Sequence, residues 1–362
     1  MPAIRVLVID DSALIRQLLT KILSSHADIK VVGAAPDPVA AWTMIQELSP
    51  DVLTLDVEMP KMDGLTFLSK LMRQRPMPVV MVSSLTARGA ETTLKALELG
   101  AFDFVTKPKI DVSRGTAEIG DDITHKVLAA AKSRVARRRS APADAKRVIA
   151  VETPKRLAEA TNKVIALGAS TGGTEALAAL LPVFPADTPG IVVVQHMPQA
   201  FTSAFARRLN GLCRMRVKEA EHGDRILQGT VLIAPGDSHM QVVRRGAEYS
   251  VTLNQDPLVN GFRPSVDVLF KSCAAQLGRH AAAALLTGMG RDGAAGMLAM
   301  RKAGSHTVAQ DEESCVVFGM PKEAIALGGA THVLPLENIG GDLLAAIVAD
   351  SSDRVAELAG AH

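Results

Sequence analysis

The chain has 362 residues, of which 48% are hydrophobic, so it is long and apolar enough for two domains with buried cores. A formal net charge of +2 indicates no strongly acidic partner, and only 3% aromatic residues argue against a surface that stacks single-stranded nucleic acid. Three scattered cysteines exclude a disulfide framework and zinc spacing. Without a signal sequence or an apolar run of membrane-spanning length, we expect a soluble, cytoplasmic protein with no direct membrane insertion.

The first third of the chain alternates short apolar runs with helical patterns, which predicts a parallel sheet covered by helices on both faces. The predicted strands begin at Ile4, Ile29, Val52, Val79 and Phe102. Between them, apolar residues recur at helical spacing and mark one buried face on each helix. We therefore expect an α/β domain of the (βα)5, flavodoxin-like type over residues 1–121.

Charged and polar side chains end several of these predicted strands, at the edge where open α/β sheets bind their ligands. Asp10 and Asp11 follow the first strand, and Asp56 follows the third. Like charges that meet are costly unless a cation neutralises them, and oxygen ligands suit Mg²⁺. Ser83 and Lys107 end the fourth and fifth strands and would complete a pocket for a phosphoryl group. Each residue alone favours an ordinary cap or turn, but the whole set favours a site.

This arrangement resembles the receiver domain of two-component response regulators over nearly all of residues 3–120. The residues that carry the resemblance are Asp10-Asp11, Asp56, Met59-Pro60 with Asp63-Gly64, Ser83, and Lys107-Pro108. The resemblance implies that Asp56 accepts a phosphoryl group from a histidine kinase and that Lys107 pairs with the phosphate.

The same resemblance implies a metal site and a switch. The Mg²⁺ ligands it implies are the side chains of Asp10, Asp11 and Asp56 and the backbone carbonyl of Glu58. Ser83 falls on the position of the switch hydroxyl, and Phe104 falls on that of the aromatic switch residue.

Residues 122–158 differ in composition from what precedes them, because basic residues crowd together among prolines and serines. This composition predicts a flexible linker between domains. Basic runs also occur in nucleic-acid-binding proteins, but no aromatic residues accompany these charges, so we expect no nucleic-acid partner. The early part, residues 127–135, could instead continue the last helix of the first domain.

The second half begins with a strand, a glycine-rich turn and a helix over residues 164–181. Ser170 lies in the turn, within the G-x-S-x-G pattern of a nucleophile elbow. Unpaired N–H groups at the start of the helix would favour an oxyanion. Glycine-rich turns of this kind bind phosphates or nucleotides more often than they carry a nucleophile, so this stretch alone leaves both interpretations open, although it holds no complete nucleotide-binding motif.

Two further strand ends supply partners for a serine nucleophile. Predicted strands over 190–194 and 281–286 lead into His196 and Asp292. Serine needs an imidazole to remove its proton, and the imidazole needs a carboxylate to set its tautomer, so these residues are the inventory of a catalytic triad. The order Ser, His, Asp differs from that of α/β-hydrolases. Spacing favours them only modestly over the other candidates, which are His222, His239, His280, His306, His332 and Asp237.

The architecture predicted for residues 159–352 is a doubly wound, mostly parallel α/β domain. Residues 249–253 add a β signal close to residues 241–243, so we expect some antiparallel strands in the sheet.

The chain as a whole resembles the bacterial chemotaxis protein-glutamate methylesterases, in which a receiver precedes an esterase. The motifs are Gly168-Ala169-Ser170-Thr171-Gly172-Gly173, Gln195-His196-Met197-Pro198, Ile233-Ala234-Pro235-Gly236 with His239-Met240, Arg263-Pro264-Ser265-Val266-Asp267, Thr287-Gly288-Met289-Gly290-Arg291-Asp292-Gly293 and Gly319-Met320-Pro321. The resemblance implies that Ser170, His196 and Asp292 hydrolyse glutamate methyl esters, and deamidate glutamines, on chemoreceptor helices in chemotactic adaptation.

The resemblance also implies that phosphorylation activates the esterase and that the esterase needs no cofactor. Backbone N–H groups of Thr171, Gly172 and Met289 are its candidate oxyanion donors. Two other hypotheses remain at this point. A DNA-binding response regulator would have a compact helical effector, for which this half is too long and too rich in strands. A nucleotide-binding effector would use the turn at residues 168–173.

Overall fold

The computed structural model describes residues 2–59, 62–107, 113–133, 163–246 and 248–359. Pro60, Pro108 and the predicted linker residues 134–158 lie outside the described residues. The chain divides into two compact units, Met1–Asp144 and Ala145–His362. Among the described helices, none combines the length and the apolar composition that crossing a bilayer would require.

The first unit alternates strands and helices, as predicted. Its elements are β1 (Ile4–Ile9), α1 (Ala13–Ser24), β2 (Ile29–Ala35), α2 (Pro38–Leu48), β3 (Val52–Asp56), α3 (Gly64–Gln74), β4 (Val79–Ser83), α4 (Ala87–Glu98), β5 (Asp103–Thr106) and α5 (Ser113–Lys132). The strands pair in parallel in the order β2-β1-β3-β4-β5. This is the flavodoxin-like order, and the ligand crevice of such a sheet lies at the carboxyl ends of β1 and β3.

Two local features bring the acidic strand ends together. Strands β3 and β4 are buried along their whole length, because helices cover both faces of a parallel sheet. At the start of α3, Gly64 approaches β3 so closely that a Cβ atom there would lie 2.1 Å from the backbone oxygen of Asp56. The Asp63 carboxylate caps this helix by accepting a hydrogen bond from the backbone of Thr66 at 2.7 Å.

Helix α5 corrects the predicted domain boundary. It continues to Lys132, so residues 122–132 belong to the first unit and the boundary at 121 is too early. Ile123, Val127 and Ala130 are buried at helical spacing, and the helix packs on α1, β3, β4 and β5. The basic character that suggested a linker includes Lys126, whose Nζ lies 3.3 Å from the carboxylate of Asp122 on the same helix.

The second unit is built on a seven-stranded sheet. The described strands of the unit, seven of which form this sheet, are β6 (Val164–Ala169), β7 (Gly190–Gln195), β8 (Arg216–Glu219), β9 (Thr230–Ile233), β10 (His239–Arg245), β11 (Glu248–Asn254), β12 (Ala281–Leu285), β13 (His306–Gln310) and β14 (His332–Leu334). Its helices are α6 (Gly173–Leu180), α7 (Gln199–Leu212), α8 (Val266–Leu277), α9 (Ala294–Lys302), α10 (Met320–Ala326) and α11 (Leu336–Ala359). The sheet order is β14-β13-β12-β6-β7-β9-β8. The chain therefore winds outward from β6 in one direction and later in the other, as in a doubly wound fold.

The antiparallel strands lie elsewhere than predicted. All neighbouring pairs in the seven-stranded sheet are parallel. Strands β10 and β11 form a separate antiparallel hairpin that packs on α8. The hairpin buries Met240, Val242 and Val251 in the same core as α8, which explains why its alternating pattern resembled a strand of the main sheet.

Candidate active site

The register of the sheet places Ser170 and His196 side by side. Ala169 and Gln195 are partners at the ends of β6 and β7, so the next residue on each strand is Ser170 and His196. The backbone N–H of His196 donates to Ala169 at 3.1 Å, and that of Ser170 donates to Thr287 at 3.0 Å. The loops after β6, β7 and β12 therefore meet where the winding direction of the sheet changes.

Glycine allows the tight turn that carries Ser170. Gly172 has a φ of 76°, in the left-handed region, and a Cβ atom there would lie 2.5 Å from the Cβ of Val316. The N–H of Gly173 closes the turn by donating to the Ser170 carbonyl at 2.7 Å. On the opposite side, a Cβ atom at Gly288 would lie 2.8 Å from Ser170 Cβ. The turn has the strand-to-helix form of a nucleophile elbow.

His196 is bound to Asp292 and enclosed. Its Nε2 lies 2.8 Å from Asp292 Oδ2, and its ring stacks on Phe262 with centroids 3.8 Å apart. The other ring nitrogen, Nδ1, is buried and has no hydrogen-bond partner in the part of the chain that the structure describes. The structure thus joins His196 to Asp292 directly and places Ser170 beside them without a hydrogen bond to the ring.

The Asp292 carboxylate is buried and surrounded by donors. Besides His196, it accepts hydrogen bonds from Val266 N at 2.7 Å, Ser265 Oγ at 2.7 Å and Asn260 Nδ2 at 2.8 Å. Val266 begins α8, whose N-terminus favours negative charge. Burial raises the pKa of Asp292, but the hydrogen bond and charge of His196, with the bonds from Asn260 and Ser265, lower it to about 2.

This pKa predicts how acid affects stability. Because the carboxyl pKa falls from 3.8 to about 2 on folding, ionised Asp292 stabilises the folded state by ~2 kcal/mol. That stabilisation is complete above pH ~4 and is lost as the pH falls toward about 2. We therefore expect the difference in unfolding free energy between wild type and Asp292→Asn to narrow as the pH falls from ~5 to ~3. If this difference in unfolding free energy stays constant from pH ~5 to ~3, the carboxyl pKa of Asp292 is not lowered by folding.

Sequence reasoning missed the side chains that position His196. Asn260, with a φ of 54°, bridges two buried carboxylates, Asp292 and Asp267. Its loop is held by Arg263, which donates to the backbone of Gln255 at 2.9 Å and of Asp256 at 3.0 Å. Asn-Gly turn chemistry marks the loop in the sequence, but nothing local shows that it folds over the histidine.

Phe262 was also missed, and Gln195 appeared in the sequence analysis only as part of a motif, without a role. The buried Gln195 amide donates to the carbonyls of Ser170 at 2.9 Å and His196 at 3.1 Å, which fixes the two strand ends relative to each other.

We expect Phe262→Ala to lower esterase turnover by about tenfold to a hundredfold, because the His196 imidazole loses the aromatic ring that stacks on it and holds its plane. Steady-state rates measure the effect, with Leu258→Ala, a 53% exposed residue of the same loop, as matched control. Equal rates for both variants would show that stacking does not position His196.

The competing residues are engaged elsewhere. Buried His239 accepts from Ser265 N at 3.2 Å and pairs through Nε2 with the Pro257 carbonyl at 3.1 Å, so both nitrogens are used structurally. His222 contacts the backbone of Leu253, and Asp237 pairs with Arg263. The remaining candidates precede or begin strands, at the opposite ends from Ser170. They are His280, His306 and His332.

The predicted oxyanion donors lie in the two loops that flank Ser170. Thr171 and Gly172 follow it in the turn, and Met289 follows Gly288, which packs against Ser170. Within the described residues, the backbone N–H groups of all three donate to no protein acceptor. They are therefore free to donate to a bound group, and their role stays a prediction.

The first unit carries the second predicted site. Asp10 and Asp56 are fully buried, and Lys107 Nζ lies 3.2 Å from Asp10 Oδ2 and 2.7 Å from Asp56 Oδ2. Burial raises the pKa of Asp56 to about 6, and the charge of Asp10 adds to this, whereas Lys107 opposes it. Burial likewise raises the pKa of Asp10.

The carboxylates of this site fit a divalent cation. Ligand atoms of Asp10, Asp11 and Asp56 lie within 4.8 Å of one another, and the only described cationic group close to Asp10 Oδ2 is the Lys107 ammonium at 3.2 Å. One lysine ammonium leaves part of this negative charge uncompensated, and carboxylate oxygens are the ligands that Mg²⁺ prefers. Glu58 follows at the exposed rim, where its N–H donates to Asp56 Oδ1 at 3.2 Å.

The predicted switch residues lie on the neighbouring strands. Ser83 ends β4, where its Oγ accepts a hydrogen bond from Thr93 Oγ1 at 2.7 Å, a contact that the sequence did not reveal. Phe104 is buried in β5, and Lys126 Nζ lies 5.4 Å from its ring centroid. The structure thus brings the carboxylates and Lys107 together and leaves Ser83 held by α4.

These two units define a class: a response regulator whose effector is a doubly wound α/β domain with serine, histidine and aspartate in the loops that follow its strands. Comparisons with known proteins specify it. The family model described as response regulator receiver domain matches residues 6–117, and that of the CheB methylesterase matches residues 165–343. The solved catalytic domain of Thermotoga maritima CheB methylesterase is 39% identical, with a TM-score of 0.50, over 51% of this chain and 98% of that one.

Relatives that match nearly the whole chain point to the same family. Protein-glutamate methylesterase/protein-glutamine glutaminase 1 of Geobacter metallireducens is 60% identical over 92% of this chain and 93% of its own length. The protein of that name from Salmonella typhimurium is 53% identical over 98% of this chain and 100% of its own. The chain belongs to the family of chemotaxis protein-glutamate methylesterases/protein-glutamine glutaminases. The predicted fold class, family and enzyme class are confirmed.

Proposed function

We propose that Ser170, His196 and Asp292 are the catalytic triad that demethylates glutamate methyl esters, and deamidates glutamines, on the cytoplasmic helices of chemoreceptors. The supporting observation is the 2.8 Å contact between His196 Nε2 and Asp292 beside the Ser170 turn. The names of the relatives support the two reactions.

The hydrogen bond to Asp292 assigns a role to each ring nitrogen. An ionised carboxylate only accepts hydrogen bonds, so Nε2 carries the proton, and the buried Nδ1, which has no partner among the described residues, is the base. Nδ1 takes the proton of Ser170 Oγ as that oxygen bonds to the ester carbon. The Ser170–His196 hydrogen bond forms in the substrate complex, since such bonds are often incomplete in free enzymes.

The remaining steps need only backbone donors and water. The N–H groups of Thr171, Gly172 and Met289 stabilise the oxyanion of the tetrahedral intermediate. His196 then protonates the leaving group, which departs as methanol from an ester or as ammonia from an amide. Water attacks the acyl-enzyme, His196 accepts its proton, and the glutamate carboxylate is released as Ser170 recovers its proton.

The receiver is proposed to control this chemistry through Asp56. An Asp56 oxygen bonds to the phosphorus of a phosphohistidine on a kinase, and the imidazole nitrogen leaves. The Asp10, Asp11 and Asp56 side chains and the Glu58 carbonyl would hold Mg²⁺, which supplies charge neutralisation. Lys107 pairs with the phosphate. Ser83 exchanges its hydrogen bond with Thr93 for one with the phosphate, and the Phe104 side chain moves inward with it.

We assign the receiver to residues 1–132 and the catalytic domain to residues 159–359, with the linker between them. The end of α5 at Lys132 supports the first limit, and the end of α11 at Ala359, beyond the predicted limit of 352, supports the last.

Asp56→Asn is expected to abolish activation without affecting the triad. A small phosphodonor should raise methanol release from methylated receptor by about five- to hundredfold in wild type, the usual range of coupling between two sites. The variant should keep its basal rate and show no increase. Asp28→Asn, at an exposed position of the same unit, is the matched control. Persistent activation in Asp56→Asn would assign the switch to another residue.

A further inference from the structure

Two histidines and an aspartate converge at the amino ends of β13 and β14, at the sheet edge opposite the Ser170 turn. His306 begins β13, His332 begins β14, and Asp342 lies on α11. His306 Nε2 lies 2.6 Å from Asp342 Oδ2, and His332 Nδ1 lies 2.8 Å from Asp342 Oδ1. The imidazole rings are nearly perpendicular, with centroids 4.9 Å apart. The two rings therefore present their nitrogens to one carboxylate from different directions.

We propose that these three side chains form a binding site for a divalent d-block cation, with Zn²⁺ as the representative ion. Two imidazoles and one carboxylate are a ligand set that zinc uses in proteins, and it leaves further positions for water. Their ligand atoms already lie within 4.8 Å of one another. Ligands at ~2.1 Å from a tetrahedral ion lie ~3.4 Å apart, so small side-chain movements suffice for binding.

The exposure of the cluster allows an ion to enter and to keep water. The His332 side chain is 48% exposed, whereas those of His306 and Asp342 are about one-fifth exposed. Binding uses the lone pairs of neutral imidazoles, so the protons now shared with Asp342 move to the other ring nitrogens or to solvent. No redox step is involved.

The ligand chemistry separates this cluster from the receiver site. Asp10, Asp11 and Asp56 offer only hard oxygen ligands, which suit Mg²⁺, whereas imidazole favours zinc and its neighbours. Excess Mg²⁺ therefore occupies the receiver and leaves the histidine cluster open. A bound ion would link two strands of the sheet edge to α11 and would stabilise the second unit by mass action.

The test is a Zn²⁺ titration of the metal-stripped full chain by calorimetry in excess Mg²⁺. Wild type should bind one Zn²⁺, and His332→Ala should weaken that affinity by at least about tenfold. Because His332 is half-exposed and distant from the triad, the variant should keep its esterase rate, which reports that it is folded. His125→Ala, at an exposed histidine of α5, is the matched control and should bind Zn²⁺ like wild type.

A second variant and a second measurement complete the test. Asp342→Asn should also weaken Zn²⁺ binding by at least about tenfold, and Zn²⁺ should raise the melting temperature of wild type but not of His332→Ala. If wild type binds no Zn²⁺ in excess Mg²⁺, or if His332→Ala binds Zn²⁺ as tightly as wild type, the metal-site proposal is wrong. The three side chains then form only a hydrogen-bonded cluster.

Discussion

Ser170→Ala is expected to lower methanol release from methylated receptor by about 10⁴-fold or more. The hydroxyl is the only part of the proposed nucleophile that the substitution removes, and without it no acyl-enzyme forms. The turn itself should survive, because the contacts that tie Ser170 to Thr287, Gly173 and Gln195 all use its backbone atoms.

Single-turnover measurements with labelled methyl ester give the clearest readout, since they count released methanol against a very low background. Ser203→Ala, on the helix that follows His196, is the control and should keep a near-normal rate. A near-normal rate in Ser170→Ala itself would exclude serine catalysis. Retained binding of methylated receptor would show that the chemical step alone was lost.

Asp292→Asn is expected to cost about 10⁴-fold in turnover, because the base would carry its proton on the wrong nitrogen. In the wild type, the Asp292 carboxylate accepts the Nε2 proton of His196, and Nδ1 has no hydrogen-bond partner in the described part of the chain. Both carboxylate oxygens of Asp292 accept hydrogen bonds: Oδ1 from Asn260 and Ser265, and Oδ2 from Val266 and His196. The NH₂ group of an asparagine would take the place of one of these oxygens in either orientation of the amide. The amide NH₂ must therefore oppose an existing donor, which also destabilises the site.

The matched control is Asp267→Asn, which alters the other carboxylate bound by Asn260 but makes no contact with His196. Asp267 accepts from Gly296 N at 2.7 Å and pairs with Lys271, and an amide oxygen can keep the first of these bonds. We expect its turnover to stay within about tenfold of wild type. Equal losses in the two variants would indicate that general destabilisation, and not the tautomer of His196, limits the rate.

Much of the fold was predictable because buried parallel strands have an unmistakable composition. Strand β7, for example, is apolar from Gly190 to Val194 since helices cover both of its faces, and its end places His196 at the rim. The predicted boundary at residue 121 falls inside α5, because the basic residues suggested a linker, whereas the alternative that residues 127–135 continue this helix agrees with the buried positions Val127 and Ala130. The sequence analysis also placed strands β10 and β11 in the main sheet. Alternation of apolar and polar residues predicts a half-buried strand but does not identify the strand with which it pairs.

By itself, the sequence determined which chemical groups end the strands: Ser170, His196 and Asp292 in one unit, and Asp10, Asp56 and Lys107 in the other. Only the tertiary structure decided that Asp292 binds Nε2 of His196, that Phe262 and Asn260 enclose the pair, and that His306 and His332 share Asp342. The reason is physical. Composition and periodicity report whether a residue is buried and where a strand stops, whereas hydrogen-bond direction and ring stacking depend on strand order and register between segments far apart in the chain.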